Sequence, residues 1–223
     1  MANADPSPQR LLKILCLHGY RQNAQTFRER TGSLRKILKK HAELVYITAP
    51  NKVKPLEGEE DSDQRGWWFS ARDETFVAQE QSEVHPGYED SLDVIAKAFS
   101  EQGPFDGVMA FSQGAAFAAM ICALQQSGDT RFSFSFVIIV AGFCSRSSGH
   151  AVLYKTPITL PSLHVFGDTD RVIQKDMSEE LLTYFKDPKT IEHTGGHFVP
   201  TSAPQKKLYI AFLDPWLQEI RNR

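Results

Sequence analysis

The chain has 223 residues, 41% of them hydrophobic and 23% charged, with a formal net charge of −2 and basic residues scattered rather than clustered. That length can bury a sizeable core without disulfide or metal staples. The charge balance argues against nucleic acid or an anionic membrane as a partner.

The first ten residues, MANADPSPQR, lack the apolar core of a signal peptide and are expected to form a disordered leader, followed by one domain over residues 11–223. No apolar stretch approaches the length needed to span a bilayer. Cys16, Cys122 and Cys144 have no metal-ligand spacing and lie in or beside apolar runs. They are expected to be buried or idle thiols in a reducing compartment, which places the protein in the cytoplasm.

LLKILCLHG (11–19) is a buried-strand pattern closed by a glycine turn, and residues 23–40 carry helix periodicity through Phe27, Leu34, Ile37 and Leu38. ELVYITAP (43–50) repeats the strand signal. The polar, acidic, proline-bearing NKVKPLEGEEDSDQ after it marks a long surface loop, interrupted by the aromatic RGWWF. YEDSLDVIAKAFSEQ (88–102) has the two faces of a helix, stopped by Gly103-Pro104 before the strand FDGVMAF. Further strands are expected at 134–143, 162–167 and 189–193, a long loop at 144–161, and helices near 175–185 and 205–220. About six strands, mostly apolar on both faces and alternating with helices, imply a parallel sheet covered on both sides, without a separate cap domain.

In such sheets ligands bind at the carboxyl ends of the strands, so chemistry is sought in the residues just past each strand. After FDGVMAF comes A-F-S-Q-G, a small-x-Ser-x-small turn in which Ala110 stands where glycine is usual. Ser112 is either a nucleophile on a strained strand-to-helix turn or the N-cap of the helix that begins at Gln113. A serine nucleophile needs a base, and the base needs an orienting carboxylate. His197, in HTGGHFVP after the last strand, has the chain order for the base. Asp168 and Asp170 in VFGDTDRVI both qualify as the carboxylate, and Asp170 is preferred because Gly167 makes the turn ahead of it and Ile173 anchors that turn.

Among the other histidines, His41 and His150 are expected at the surface, His164 inside a strand, and His193 too close to its strand to reach the serine; His85, before Pro86, stays a candidate. An oxyanion hole would draw on the amide of Gln113 and on that of Tyr20, which Gly19 carries forward in LHGYRQN.

The motifs LCLHGYRQN, FRERTGSLRK, RGWWF, GPFDGVMAFSQGA, LHVFGDTDRVI and GGHFVP together resemble the FSH family of serine hydrolases within the α/β-hydrolase superfamily, from the first strand to about Leu213. The resemblance implies an α/β-hydrolase fold and carboxylic-ester hydrolysis, with Ser112 as nucleophile, Asp170 as carboxylate and His197 as base. Its substrate would be a small-molecule ester, with an apolar acyl or alkyl chain. No metal or organic cofactor is implied. Trp67, Trp68 and Phe69, with Phe143, Phe198 and Val199 near the strand ends, are candidates for an acyl or alkyl pocket. Thioester or lipid-ester hydrolysis on the same site, or a binding module that keeps the scaffold without catalysis, are the alternatives.

Overall fold

The computed structural model describes residues 10–58 and 62–222, so the expected leader lies outside the described residues except for Arg10. In chain order the elements are β1 (Leu12–Leu17), α1 (Ala24–Arg30), α2 (Gly32–Leu38), β2 (Ala42–Ile47), β3 (Asn51–Lys52), β4 (Arg65–Gly66), α3 (Tyr88–Gln102), β5 (Gly107–Phe111), α4 (Gln113–Gln126) and β6 (Phe136–Val140). A 3₁₀ helix (Ser148–Tyr154), β7 (Ser162–Gly167), α5 (Lys175–Leu182), β8 (Lys189–His193) and α6 (Ala203–Asn222) complete the chain.

Six strands form one sheet in the order β2-β1-β5-β6-β7-β8, and every neighbouring pair is parallel. The α/β-hydrolase reading therefore holds at the level of the sheet. Burial depends on position. Every residue of β5, β6 and β7 is buried, as in a sheet covered on both faces, whereas the edge strand β8 buries only Ile191 and His193. Helix α4 is buried along most of its length, from Gln113 to Ala123. Its alanines let it approach the sheet closely, and a helix apolar on all sides belongs in a core.

The chain runs outward from β1 to β2, then returns to the other side of β1 with β5 and continues outward through β6, β7 and β8. The strand order thus reverses between β1 and β5, and a crevice opens at the carboxyl ends of strands where connections diverge. The loops carrying Tyr20 and Ser112 leave from those two strands.

Three features depart from the sequence expectations. The helix expected over 23–40 is broken into α1 and α2 at Thr31, whose φ of −98° and ψ of 17° are not helical. Its hydroxyl bonds back to Phe27 O at 2.7 Å and meets Tyr46 Oη at 2.7 Å; a tertiary bond to β2 holds the break. The acidic loop is closed at its base by a short antiparallel ribbon, with Asn51 opposite Gly66 and Lys52 opposite Arg65.

His150, expected at the surface, is buried. The 3₁₀ helix turns it inward, where it packs on Tyr88 and His85 at ring distances of 4.2 and 4.5 Å and shares a 2.7 Å hydrogen bond with Ser145 Oγ. His41 is partly buried beside Asp214. The cysteines are free and buried, and burial raises all three thiol pKa values, that of Cys144 to about 12. Among the described residues, no helix is long and apolar enough to cross a membrane.

Burial also lowers the pKa of His18 and His150 to about 4, and that of His164, inside β7, to about 3. An imidazole in the unfolded chain takes its proton near pH 6.5. Below that value the unfolded state binds protons the folded state refuses, so stability falls as pH is lowered. The midpoint of urea unfolding should therefore decline from about pH 6.5 towards about pH 4, where His18 and His150 begin to protonate in the folded state. A flat midpoint across that window would contradict the buried, neutral histidines.

Candidate active site

Ser112 stands between β5 and α4 with φ 55° and ψ −120°. A non-glycine residue in such a conformation costs about 1–3 kcal/mol and persists only when its surroundings impose it. Here they do. The Ser112 N–H donates to Val140 O at 2.8 Å, and the Ser112 carbonyl accepts from Ala115 and Ala116 in the first turn of α4. The turn is tight because α4 starts against the end of β1: a Cβ at Gly114 would lie 2.4 Å from His18 O and 2.8 Å from Leu17 O. Gly19 meets the turn from the other side, where a Cβ would come within 3.0 Å of the Phe111 ring and 3.2 Å of Ser112 Cβ.

The Ser112 hydroxyl makes no capping bond to α4. It donates instead to His197 Nε2 at 3.0 Å, and His197 Nδ1 donates to Asp170 Oδ2 at 2.7 Å. Asp170 is buried, and its other oxygen accepts from the Val172 and Ile173 N–H groups at 2.8 and 2.9 Å. Burial alone would raise its pKa, but the His197 hydrogen bond and charge and these two amides outweigh burial and lower it. An ionised Asp170 accepts only, so the proton on His197 sits at Nδ1 and leaves Nε2 free to receive one.

Asp168 is turned away: it pairs with Lys175 at 2.9 Å, and Lys175 also pairs with Glu192 at 2.7 Å. The His197 loop is tied to the loop after β7, with Asp168 N–H donating to His193 O at 2.8 Å and Thr169 Oγ1 to Thr194 O at 3.2 Å. The His197 ring rests 4.7 Å from that of Phe111.

The aromatic loop after β4 is anchored by groups that sequence patterns do not mark. The Gln113 side chain accepts from Trp67 N–H at 2.8 Å and donates to Trp68 O at 2.7 Å. Trp67 Nε1 donates to His18 O at 2.8 Å. His18 is held in turn through both ring nitrogens, with Nδ1 on Gly19 O and Nε2 accepting from Ala49 N–H. Asn51 donates to Gly66 O, Trp67 O and Gly87 O. Both tryptophans and Phe69 are buried, Trp67 stacking on Phe117 at 5.2 Å.

Of the other pocket candidates, Phe143 is buried, Val199 partly so, and Phe198 is 50% exposed beside His193. Among the described residues, neither the Tyr20 nor the Gln113 N–H donates to a protein acceptor. His85 lies apart from the serine, hydrogen-bonded to Ser147 at 3.0 Å, and His193 carries the Gly195 amide on Nδ1. No group of three or more potential metal ligands occurs among the described residues.

A family profile described as "Serine hydrolase (FSH1)" matches residues 8–209. The chain belongs to this serine hydrolase family. Among FSH1-family relatives, Esterase OVCA2 of Xenopus tropicalis is 54% identical over 218 residues, spanning 94% of this chain and 95% of its own length. Human Esterase OVCA2 is 45% identical over 224 residues, spanning 94% and 99%. Among solved structures, Arabidopsis thaliana SOBER1 superposes with a TM-score of 0.65 at 14% identity, covering 96% of this chain and all of that one. Zea mays acyl-protein thioesterase 2 gives 0.61 at 21% identity, covering 94% and 97%. At these identities the structural likenesses speak to the fold alone, and they agree with an α/β-hydrolase sheet.

The double role of Gln113 yields a test of this FSH1-family architecture. Gln113→Leu strands the Trp67 N–H and the Trp68 carbonyl in the core, and each unsatisfied buried group costs about 1–3 kcal/mol. A loss of stability of that order should appear in urea unfolding. An unchanged midpoint would mean that the Asn51 and His18 bonds and the ring packing hold the tryptophan loop without Gln113.

Proposed function

We propose that the protein hydrolyses carboxylic esters through an acyl-enzyme on Ser112. The observation that carries this reading is the continuous relay from the Ser112 hydroxyl to His197 Nε2 and from His197 Nδ1 to Asp170, mounted on a strained turn that directs the hydroxyl away from capping α4. The naming of the relatives as esterases favours an ester over other acyl substrates.

In the first half-reaction Ser112 Oγ attacks the ester carbonyl as its proton passes to His197 Nε2. Asp170, already ionised, stabilises the imidazolium and fixes its orientation. The negative charge formed on the carbonyl oxygen is met by the Gln113 N–H at the start of α4, reinforced by the helix dipole, and by the Tyr20 N–H from the loop after β1. The two amides lie just past the ends of adjacent strands, β1 and β5, which supports their acting together. Collapse of the intermediate breaks the bond to the alkoxide, which takes the proton from His197 and departs as the alcohol. Water then attacks the acyl-Ser112 carbonyl, losing its proton to His197; the second intermediate breaks the bond to Ser112 Oγ, which takes that proton back from His197 as the carboxylic acid is released.

Ser112→Ala should abolish turnover of para-nitrophenyl esters and labelling by a fluorophosphonate probe while the protein stays folded. Asp170→Asn keeps the size but not the charge or tautomer control, and should lower kcat by about ten-thousandfold; Asp168→Asn should change it little. Full activity in Ser112→Ala, or equal effects of the two aspartate substitutions, would defeat the mechanism.

A further inference from the structure

Between the aromatic loop and α3 the chain makes an excursion over residues 70–82 that is joined at its base, where Ser82 Oγ donates to Ser70 O at 2.6 Å. Compact loops with their ends together are recurrently functional. Most side chains of this one are exposed, but Phe76 is only partly so, and its ring meets three others. They are Tyr20 at 5.1 Å, Trp68 at 5.1 Å and Phe143 at 6.2 Å.

Those contacts locate the ring. Tyr20 lies just past β1 and Phe143 just past β6, and these are the two strands that flank β5 in the sheet. A side chain touching both spans the carboxyl end of β5, where Ser112 stands. Three residues on, Gln79 Nε2 donates to the carbonyl of Val172 at 2.8 Å, two positions beyond Asp170 in the loop after β7. The excursion therefore straps the catalytic edge from the oxyanion loop to the acid loop. Its outer tip is held by Lys54, which bonds to Asp73 O and pairs with Glu74 at 3.1 Å. Val77 on the strap and Val172, whose carbonyl the strap binds, are 39% and 52% exposed, which leaves apolar surface at the strap's edge.

We propose that Phe76 is a specificity-determining residue: its ring, carried on the 70–82 strap, forms the outer wall of the acyl site and limits the chain length that can lie against Ser112. This rests on the acyl-enzyme reading above. Trp68 and Phe143 are buried, whereas Tyr20 and Phe76 are only partly so, and of these two Phe76 is the ring carried on the strap. Substrates distinguished by it carry unbranched apolar acyl chains, which extend from the oxyanion loop past Phe76 towards the rim at Val77.

The test is a series of para-nitrophenyl esters from acetate to decanoate, run on native protein, Phe76→Ala and Phe76→Trp, with fluorophosphonate labelling of Ser112 in each. Hydrophobic pockets discriminate chain length by roughly tenfold or more. The ratio of kcat/KM for decanoate over butyrate should rise by about tenfold in Phe76→Ala and fall in Phe76→Trp, with both proteins labelled. An unchanged ratio in both variants, or an activity loss equal for every ester, overturns the proposal and leaves Phe76 a packing residue. If Phe76→Ala does not fold, Phe76→Leu replaces it with the same expected direction. Failure of the native protein itself to take the probe would instead strike at the acyl-enzyme reading, which separates the two.

Discussion

The contact on which the site depends is the seating of the first turn of α4 against the carbonyls that end β1. Gly114 lies so close to His18 O and Leu17 O that no side chain fits between. This proximity leaves Ser112 no room for an ordinary strand-to-helix turn and forces its positive φ. The strain costs about 1–3 kcal/mol, and the burial of α4 across its length is large enough to carry it. A serine relaxed into the usual N-cap geometry would turn its hydroxyl to the helix amides instead of to His197.

The same contact connects the Ser112 turn, the loop after β1 and the aromatic loop into one body. His18 O, against which Gly114 packs, also accepts the Trp67 indole N–H. Gln113 offers its backbone N–H at the helix start while its amide side chain holds the main chain at Trp67 and Trp68. Buried polar groups satisfied in this way rigidify their surroundings. Both tryptophans pack on Phe117, and Trp67 also on His18, while the partly exposed Phe76 packs on Trp68 from outside.

Much of this is legible in the sequence because it repeats on a period. The strand runs 162–167 and 189–193 and the helix 88–102 match the observed bounds: the first strand and the helix carry apolar patterns closed by turn residues, and 189–193 is a short run ahead of the turn at Thr194-Gly195. Ser112, Asp170 and His197 stand out as residues just past strands, a rule that needs only the strand positions. The illegible part depends on contacts far apart in the chain. The break at Thr31 is held by Tyr46, the closure of the acidic loop needs Asn51 to meet Gly66, and the inward turn of His150 needs a cavity built by Tyr88, His85 and Trp68. Nothing in the pattern around Gln113 or Phe76 tells of the partners they reach. A polar residue after a reactive serine and a lone aromatic in a polar loop are ordinary until the fold supplies their neighbours.

Strand β8 matters beyond its packing. It lies at the edge of the sheet, paired to β7 alone with Leu163 opposite Lys189 and Gly167 opposite His193, and the loop it leads into carries His197. The distance between His197 and Ser112 is therefore gauged by the register of an edge strand that buries only two of its side chains. A slip of one residue moves a strand by about 3.3 Å and turns its side chains to the opposite face, more than enough to part His197 from Ser112. His197 is thus tied to the rim of the sheet while Ser112 is tied to its centre. Under the proposed mechanism, warming that frays the rim would idle the protein with Ser112 in place and its core intact.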